Sequence, residues 1–118
     1  MSDVETLVGR WLTLPEVAQQ LDVPVTRARQ LVAERQLLAV RRGENNALMV
    51  PAEFVQDDGR VLKGLQGTLT LLLDARYSDE DAMRWLFTAD DTLPGSPVEA
   101  LVANRGTEVK RRAQALGY

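Results

Sequence analysis

The chain has 118 residues, enough for one compact domain or two small modules sharing a core. Apolar residues make up 45% of it and aromatics 5%, and it holds neither cysteine nor histidine. Disulfides, thiolate catalysis, cysteine-ligated zinc and the commonest general base are therefore excluded. The net charge of −3 and pI near 4.9 argue against a nucleic-acid partner only if the charge is spread evenly. It is not. Residues 27–42 carry five arginines and one glutamate, a local net of +4, whereas 76–99 carry two arginines and six acids, a local net of −4. A basic patch on an acidic, soluble remainder is the expected arrangement. No basic apolar leader opens the chain and no apolar run approaches membrane-spanning length, so a cytoplasmic location is expected.

In chain order, residues 1–12 read as a tail or a short helix, with Trp11 and Leu12 packing back on the body. Thr13-Leu-Pro-Glu16 has the form of a capping box. The helix it opens turns Leu14, Val17, Ala18 and Leu21 inward. Leu21-Asp-Val-Pro24 then turns the chain, and Pro24 suits a helix start, where its missing N–H costs nothing. The next helix, about 24–34, buries Ala28, Leu31 and Val32 and exposes Thr26, Arg27, Arg29 and Gln30. Residues 37–42 and 47–50 read as two short strands, with turn residues at Gly43 to Asn46 and a stop at Pro51. A short helix over 51–56 precedes the polar break Asp57-Asp58-Gly59.

The remainder reads as helical. A helix over 61–74 contains Gly64 and Gly67, which weaken its first turns. Ser78 caps a second helix carrying Ala82, Trp85, Leu86 and Phe87. Ser96-Pro-Val-Glu99 opens a short third ending near Asn104, and after Gly106 a last helix, about 107–116, turns Val109, Ala113 and Leu116 inward. The expected fold is mainly α: a winged helix-turn-helix with a small two-stranded β-hairpin over 1–58, and a helical C-terminal extension over 59–118.

Two short helices joined by a tight turn form a common DNA-reading unit, whose second helix enters the major groove. Thr26, Arg27 and Gln30 sit on its first turns. Arginine can bond guanine O6 and N7 together and glutamine can do the same for adenine, while Arg29 suits a base or a phosphate. Arg41 and Arg42 directly precede the hairpin tip, as in a wing laid on the backbone or minor groove, and Asn45 and Asn46 can reach phosphates or groove edges. Any one of these arginines is equally an ordinary solvated side chain. Four of them with the turn and the hairpin form a pattern that solvation does not require.

The stretch LTLPEVAQQLDVPVTRARQLVAERQLLAVRRGENNALMVP resembles the winged helix-turn-helix domains of the MerR and excisionase superfamily. Glu16-Val17-Ala18 lie on the leucine-led first helix, Leu21-Asp22-Val23 form the turn, and residues 37–40 match the leucine-rich first wing strand. That pattern usually has glycine at Asp22 and serine or threonine at Pro24. The whole chain is similar to a small actinobacterial family of DNA-binding proteins. The resemblance implies double-stranded DNA as partner, transcriptional regulation as the role, and in many relatives a homodimer. Residues 76–116 also resemble the helical toxin-binding region of some antitoxins, in which Trp85, Leu93, Pro94, Gly95 and Pro97 would build one corner. That resemblance implies the rival reading, a protein-interaction adaptor with weak DNA binding.

Trp85 and Phe87 complete a core or form a protein-binding patch. The acids at 79–81 and 90–91 cap helix starts or, less simply, hold a metal. Lys110, Arg111 and Arg112 either add phosphate contacts or solvate a helix. With no base to activate a serine and no glycine-rich phosphate loop, neither catalysis nor a cofactor or metal is expected.

Overall fold

The computed structural model describes residues 4–93 and 95–117. Its elements in chain order are helix α1 (Val4–Leu7), strand β1 (Trp11–Thr13), helices α2 (Leu14–Leu21) and α3 (Val25–Ala33), and strands β2 (Val40–Arg42) and β3 (Ala47–Pro51). A single 3-10 turn at Ala52–Phe54 follows, then helices α4 (Leu65–Asp74), α5 (Asp79–Phe87), α6 (Pro97–Val102) and α7 (Gly106–Ala115).

The helix starts are set by local chemistry. At α2 the Thr13 N–H donates to Glu16 Oε1 (2.8 Å) while the Glu16 N–H donates to Thr13 Oγ1 (3.3 Å), a complete capping box. Ser96 and Glu99 repeat it at α6, at 3.1 and 3.3 Å, and Ser78 Oγ accepts from the Asp81 N–H at α5 (3.1 Å). The first turns of the expected 61–74 helix are absent, because Gly64 adopts a positive φ of 87° and the helix begins after it. Gly67 has another use. A Cβ there would come within 2.9 Å of Lys110 Cε, so the glycine lets the lysine of α7 lie across α4.

The hairpin has a third strand. β1 pairs antiparallel with β3, Leu12 opposite Val50, and β2 pairs with the other edge of β3, Arg41 opposite Leu48. The sheet order is β1-β3-β2. Residues 11–13 thus join the sheet rather than merely packing against it. The first wing strand is shorter than expected, because Leu37, Leu38 and Ala39 are buried in succession and cannot alternate across a sheet.

One hydrophobic cluster runs through both halves. Leu12, Val17, Leu37, Leu38 and Val50 share it with Leu65, Leu69, Leu72, Met83 and Leu86. The Phe54 and Phe87 rings meet at 5.8 Å with a tilt of 41°, α1 packs on α5, and α4 packs on α7. Phe87 is core, whereas Trp85 is half-buried against it. Leu116, expected inward, is 36% exposed, because α7 ends one residue before it.

Candidate nucleic-acid interface

The corner between α2 and α3 depends on how α2 ends. Asp22 is left-handed, at φ 58° and ψ 49°. Its N–H donates to the Gln19 carbonyl (3.3 Å), and the Val23 N–H reaches back to the Ala18 carbonyl (3.0 Å). This is a Schellman closure, which satisfies carbonyls that a helix end otherwise leaves open. Glycine is the usual occupant of such a position. Aspartate is among the few side chains that tolerate it, so the corner survives the substitution. Pro24 stands at the N-cap of α3 with no side-chain cap, and its carbonyl accepts from Arg27 N–H (2.9 Å).

α3 buries Ala28 and Leu31 and turns Thr26, Arg29 and Gln30 to solvent, with Arg27 partly covered. Glu34, one residue past the helix, gathers its polar face. Gln30 Nε2 donates to Glu34 Oε2 (2.9 Å), Gln36 Nε2 donates to Oε1 (3.0 Å), and Arg27 Nη1 lies 3.8 Å from Oε1. The spacing of four between Gln30 and Glu34 was visible in the sequence as a helical neighbour pair. Arg29 makes no ion pair or side-chain hydrogen bond among the described residues.

The basic pair before the wing tip does not act as a pair. Arg41 and Arg42 are adjacent in β2 and so leave opposite faces of the sheet. Arg41 Nη1 donates to the Asn46 carbonyl across the turn (3.0 Å). The Arg42 guanidinium lies over the Trp11 ring, 4.4 Å from its centroid, reaching across β3 to β1. The tip is a four-residue turn, with Gly43 at φ 78° and Asn46 at φ 53°, and Asn45 and Asn46 are both exposed. Trp11 went unrecognised as part of this group because its link to Arg42 exists only once β1 joins the sheet.

The basic and acidic segments also meet. Arg35 Nη1 lies 2.8 Å from Asp79 Oδ1, joining the end of α3 to the start of α5. Nothing in the sequence links two residues 44 apart. In the second basic cluster, Arg112 is a structural anchor. Its Nε donates to Thr92 Oγ1 (2.6 Å), its Nη2 to the Thr92 carbonyl (3.0 Å) and its Nη1 to the Glu108 carbonyl (3.0 Å). Lys110 and Arg111 are exposed. Of the corner expected at 85–97, Leu93 and Pro97 are buried, Trp85 is half-buried, and Gly95 closes on Asp90, whose N–H donates to its carbonyl (2.9 Å). Pro94 lies outside the described residues.

Two carboxylates are perturbed, Glu16 in the α2 cap and Asp90 in the turn ahead of α6. Asp90 and Asp91 do not stand at a helix start as expected, because α6 is capped by Ser96. The Thr13 backbone N–H and then its hydroxyl hold Glu16 below its ordinary value. The Thr92 hydroxyl and then its N–H do the same for Asp90, with Arg112 adding a smaller contribution. Asp79, Glu80 and Asp81 occupy the first turn of α5, where the helix dipole favours them. Among the described residues no group of three potential ligands could hold a metal ion, and no helix is long and apolar enough to cross a membrane.

Two helices closed by a left-handed turn and followed by a hairpin on a small antiparallel sheet define a winged helix-turn-helix protein. The chain belongs to the Rv2175c family. Residues 2–55 match the family described as "DNA-binding protein Rv2175c, wHTH domain", and residues 62–117 match "Rv2175c C-terminal domain of unknown function". Over 117 residues the chain is 44% identical to the DNA-binding protein Rv2175c of Mycobacterium tuberculosis, covering 89% of this chain and 79% of that one. Its fold is similar to the NMR structure of Rv2175c with a TM-score of 0.82 at 40% identity, over 92% of this chain and 82% of the other.

Proposed function

We propose that this protein binds double-stranded DNA in a sequence-dependent way and acts in the cytoplasm as a transcriptional regulator of the MerR and excisionase kind. α3 enters the major groove and the β2–β3 wing lies on the backbone or the minor groove. Thr26, Arg27, Arg29 and Gln30 face the groove, where arginine and glutamine are suited to guanine and adenine edges. Arg41, Arg42, Asn45 and Asn46 engage phosphates and sugars, which position the protein without specifying sequence. Residues 1–58 carry the contact, and 59–118 form the helical unit behind it.

The observation that carries this reading is the exposed row Thr26, Arg29 and Gln30 on a helix fixed by the Asp22 closure. Arg29 is the most telling member, since it has no described partner. The name of the M. tuberculosis relative supports the same partner.

Fluorescence anisotropy with labelled duplex across a salt series tests it, using Arg29→Glu/Arg41→Glu as control. Binding by the wild type is expected to fall linearly on a log–log plot, by about 0.9 in slope for each phosphate neutralised. The variant, with an unchanged circular-dichroism melt, is expected to lose that binding. A wild type that binds no duplex even at low salt overturns the proposal. Competition among unlabelled duplexes of random and selected sequence then measures the sequence dependence.

A further inference from the structure

We propose that the N-terminus of α5 is a built-in restraint on the DNA face. Asp79, assisted by Glu80, masks Arg35 and lowers the affinity of the helix-to-wing segment for phosphate. The inference rests on the DNA-binding reading above and gives the C-terminal half a role in it.

Arg35 stands where α3 hands the chain to the wing. Its backbone is held left-handed, at φ 61°. The Gln36 N–H donates to the Leu31 carbonyl (2.9 Å) and the Arg35 N–H to the Val32 carbonyl (3.1 Å), again a Schellman closure. The side chain is thereby directed at α5, where Nη1 meets Asp79 Oδ1 at 2.8 Å. Asp79 is fixed in its turn by the Ser78 cap and the first turn of α5.

Beside this bridge is a cleft of about 410 Å³, with Arg41, Arg42 and Leu48 on the wing side and Asp79 and Glu80 on the α5 side. A Debye length of about 8 Å at physiological salt leaves carboxylates across such a cleft within reach of the wing. A phosphate approaching Arg35 must displace Asp79, while Glu80, which lines the cleft and lies 3.7 Å from Arg84 Nη2, adds a smaller, partly offset repulsion. The bridge itself is weak, because its side chains are 47% and 41% exposed. It restrains binding without preventing it. Non-specific binding, which is almost wholly electrostatic, is restrained most, and contacts of α3 to base edges are spared.

The test compares wild type and Asp79→Asn/Glu80→Gln by anisotropy on a random-sequence duplex over a salt series, with melts to confirm folding. The variant is expected to bind about three- to tenfold more tightly at low salt, with a log–log slope steeper by about 0.9 as Arg35 takes up a phosphate. Adding Arg35→Gln to Asp79→Asn is expected to remove the gain. Wild-type binding with an unchanged variant overturns the restraint and leaves the DNA reading intact. Weaker binding by the variant also overturns it, and makes the bridge a brace for α3. No binding by either protein overturns both readings. Binding by the variant alone also overturns the restraint, because a bridge this exposed can weaken binding but not abolish it.

Discussion

The guanidinium carbon of Arg42 lies over the indole of Trp11, 4.4 Å from the ring centroid, although the two residues belong to opposite edge strands of the sheet. The stack spans β3 and fastens the wing to the chain segment that precedes α2.

A double-mutant cycle measures that link. Trp11→Leu and Arg42→Met, singly and together, are expected to give a coupling of about 0.5–1 kcal/mol in urea unfolding, the usual range for a partly exposed cation–π contact. Trp11→Tyr, which keeps an aromatic face, is expected to retain most of it. A coupling near zero would show that the stack does not hold the wing.

Among the described residues four helices end in the same left-handed closure, and none of the four has glycine there: Asp22, Arg35, Arg76 and Asn104 all have positive φ. Arg76 is the simplest to test, being exposed at φ 69°. The Tyr77 N–H bonds the Leu72 carbonyl at 3.1 Å and the Arg76 N–H bonds the Leu73 carbonyl at 3.0 Å. Relief of left-handed strain outweighs the extra chain entropy of glycine, so Arg76→Gly is expected to stabilise by about 0.5–1 kcal/mol. In a thermal melt that is a rise of about 2–5 °C. Arg76→Ala keeps the strain and is expected to show no such rise.

The two perturbed carboxylates should respond differently to loss of their hydroxyl donors. For Glu16 the largest cause of its lowered value is the Thr13 backbone N–H, which Thr13→Ala retains. For Asp90 the largest is the Thr92 hydroxyl, which Thr92→Val removes. Carboxyl NMR titration is therefore expected to show Asp90 rising further in its variant than Glu16 in its own. Both carboxyls are lowered on folding, so each adds stability above its unfolded value, near 4.5 for Glu16 and 3.8 for Asp90. That stability is lost as pH falls below those values through the folded ones. Melting temperatures followed from pH 5 downward are expected to show a shallower acid loss in the variants. Equal rises at the two carboxyls would contradict the assignment of causes.

Much of the chain was legible because its signals are short-range. Thr13 with Glu16 and Ser96 with Glu99 lie three residues apart, within one helical turn, and both boxes form. The helix-turn-helix spacing was legible for the same reason, and so were Thr26, Arg29 and Gln30 on the outer face of α3. The errors lie where periodicity fails. Leu37 to Ala39 are apolar like a strand but buried in succession, and Leu116 carries a core residue type just past the end of its helix.

The sequence alone therefore determined where the side-chain-capped helices start, most of the faces that are buried and where the arginines concentrate, because capping and amphipathic periodicity act within a turn or two. Tertiary structure decided what the arginines meet. β1 had to join the sheet before Trp11 could lie beneath Arg42, and α5 had to pack beside the wing before Asp79 could reach Arg35. Contacts between residues 31 and 44 positions apart leave no periodic trace in the chain, so only the three-stranded sheet and the packing of α5 beside it reveal them.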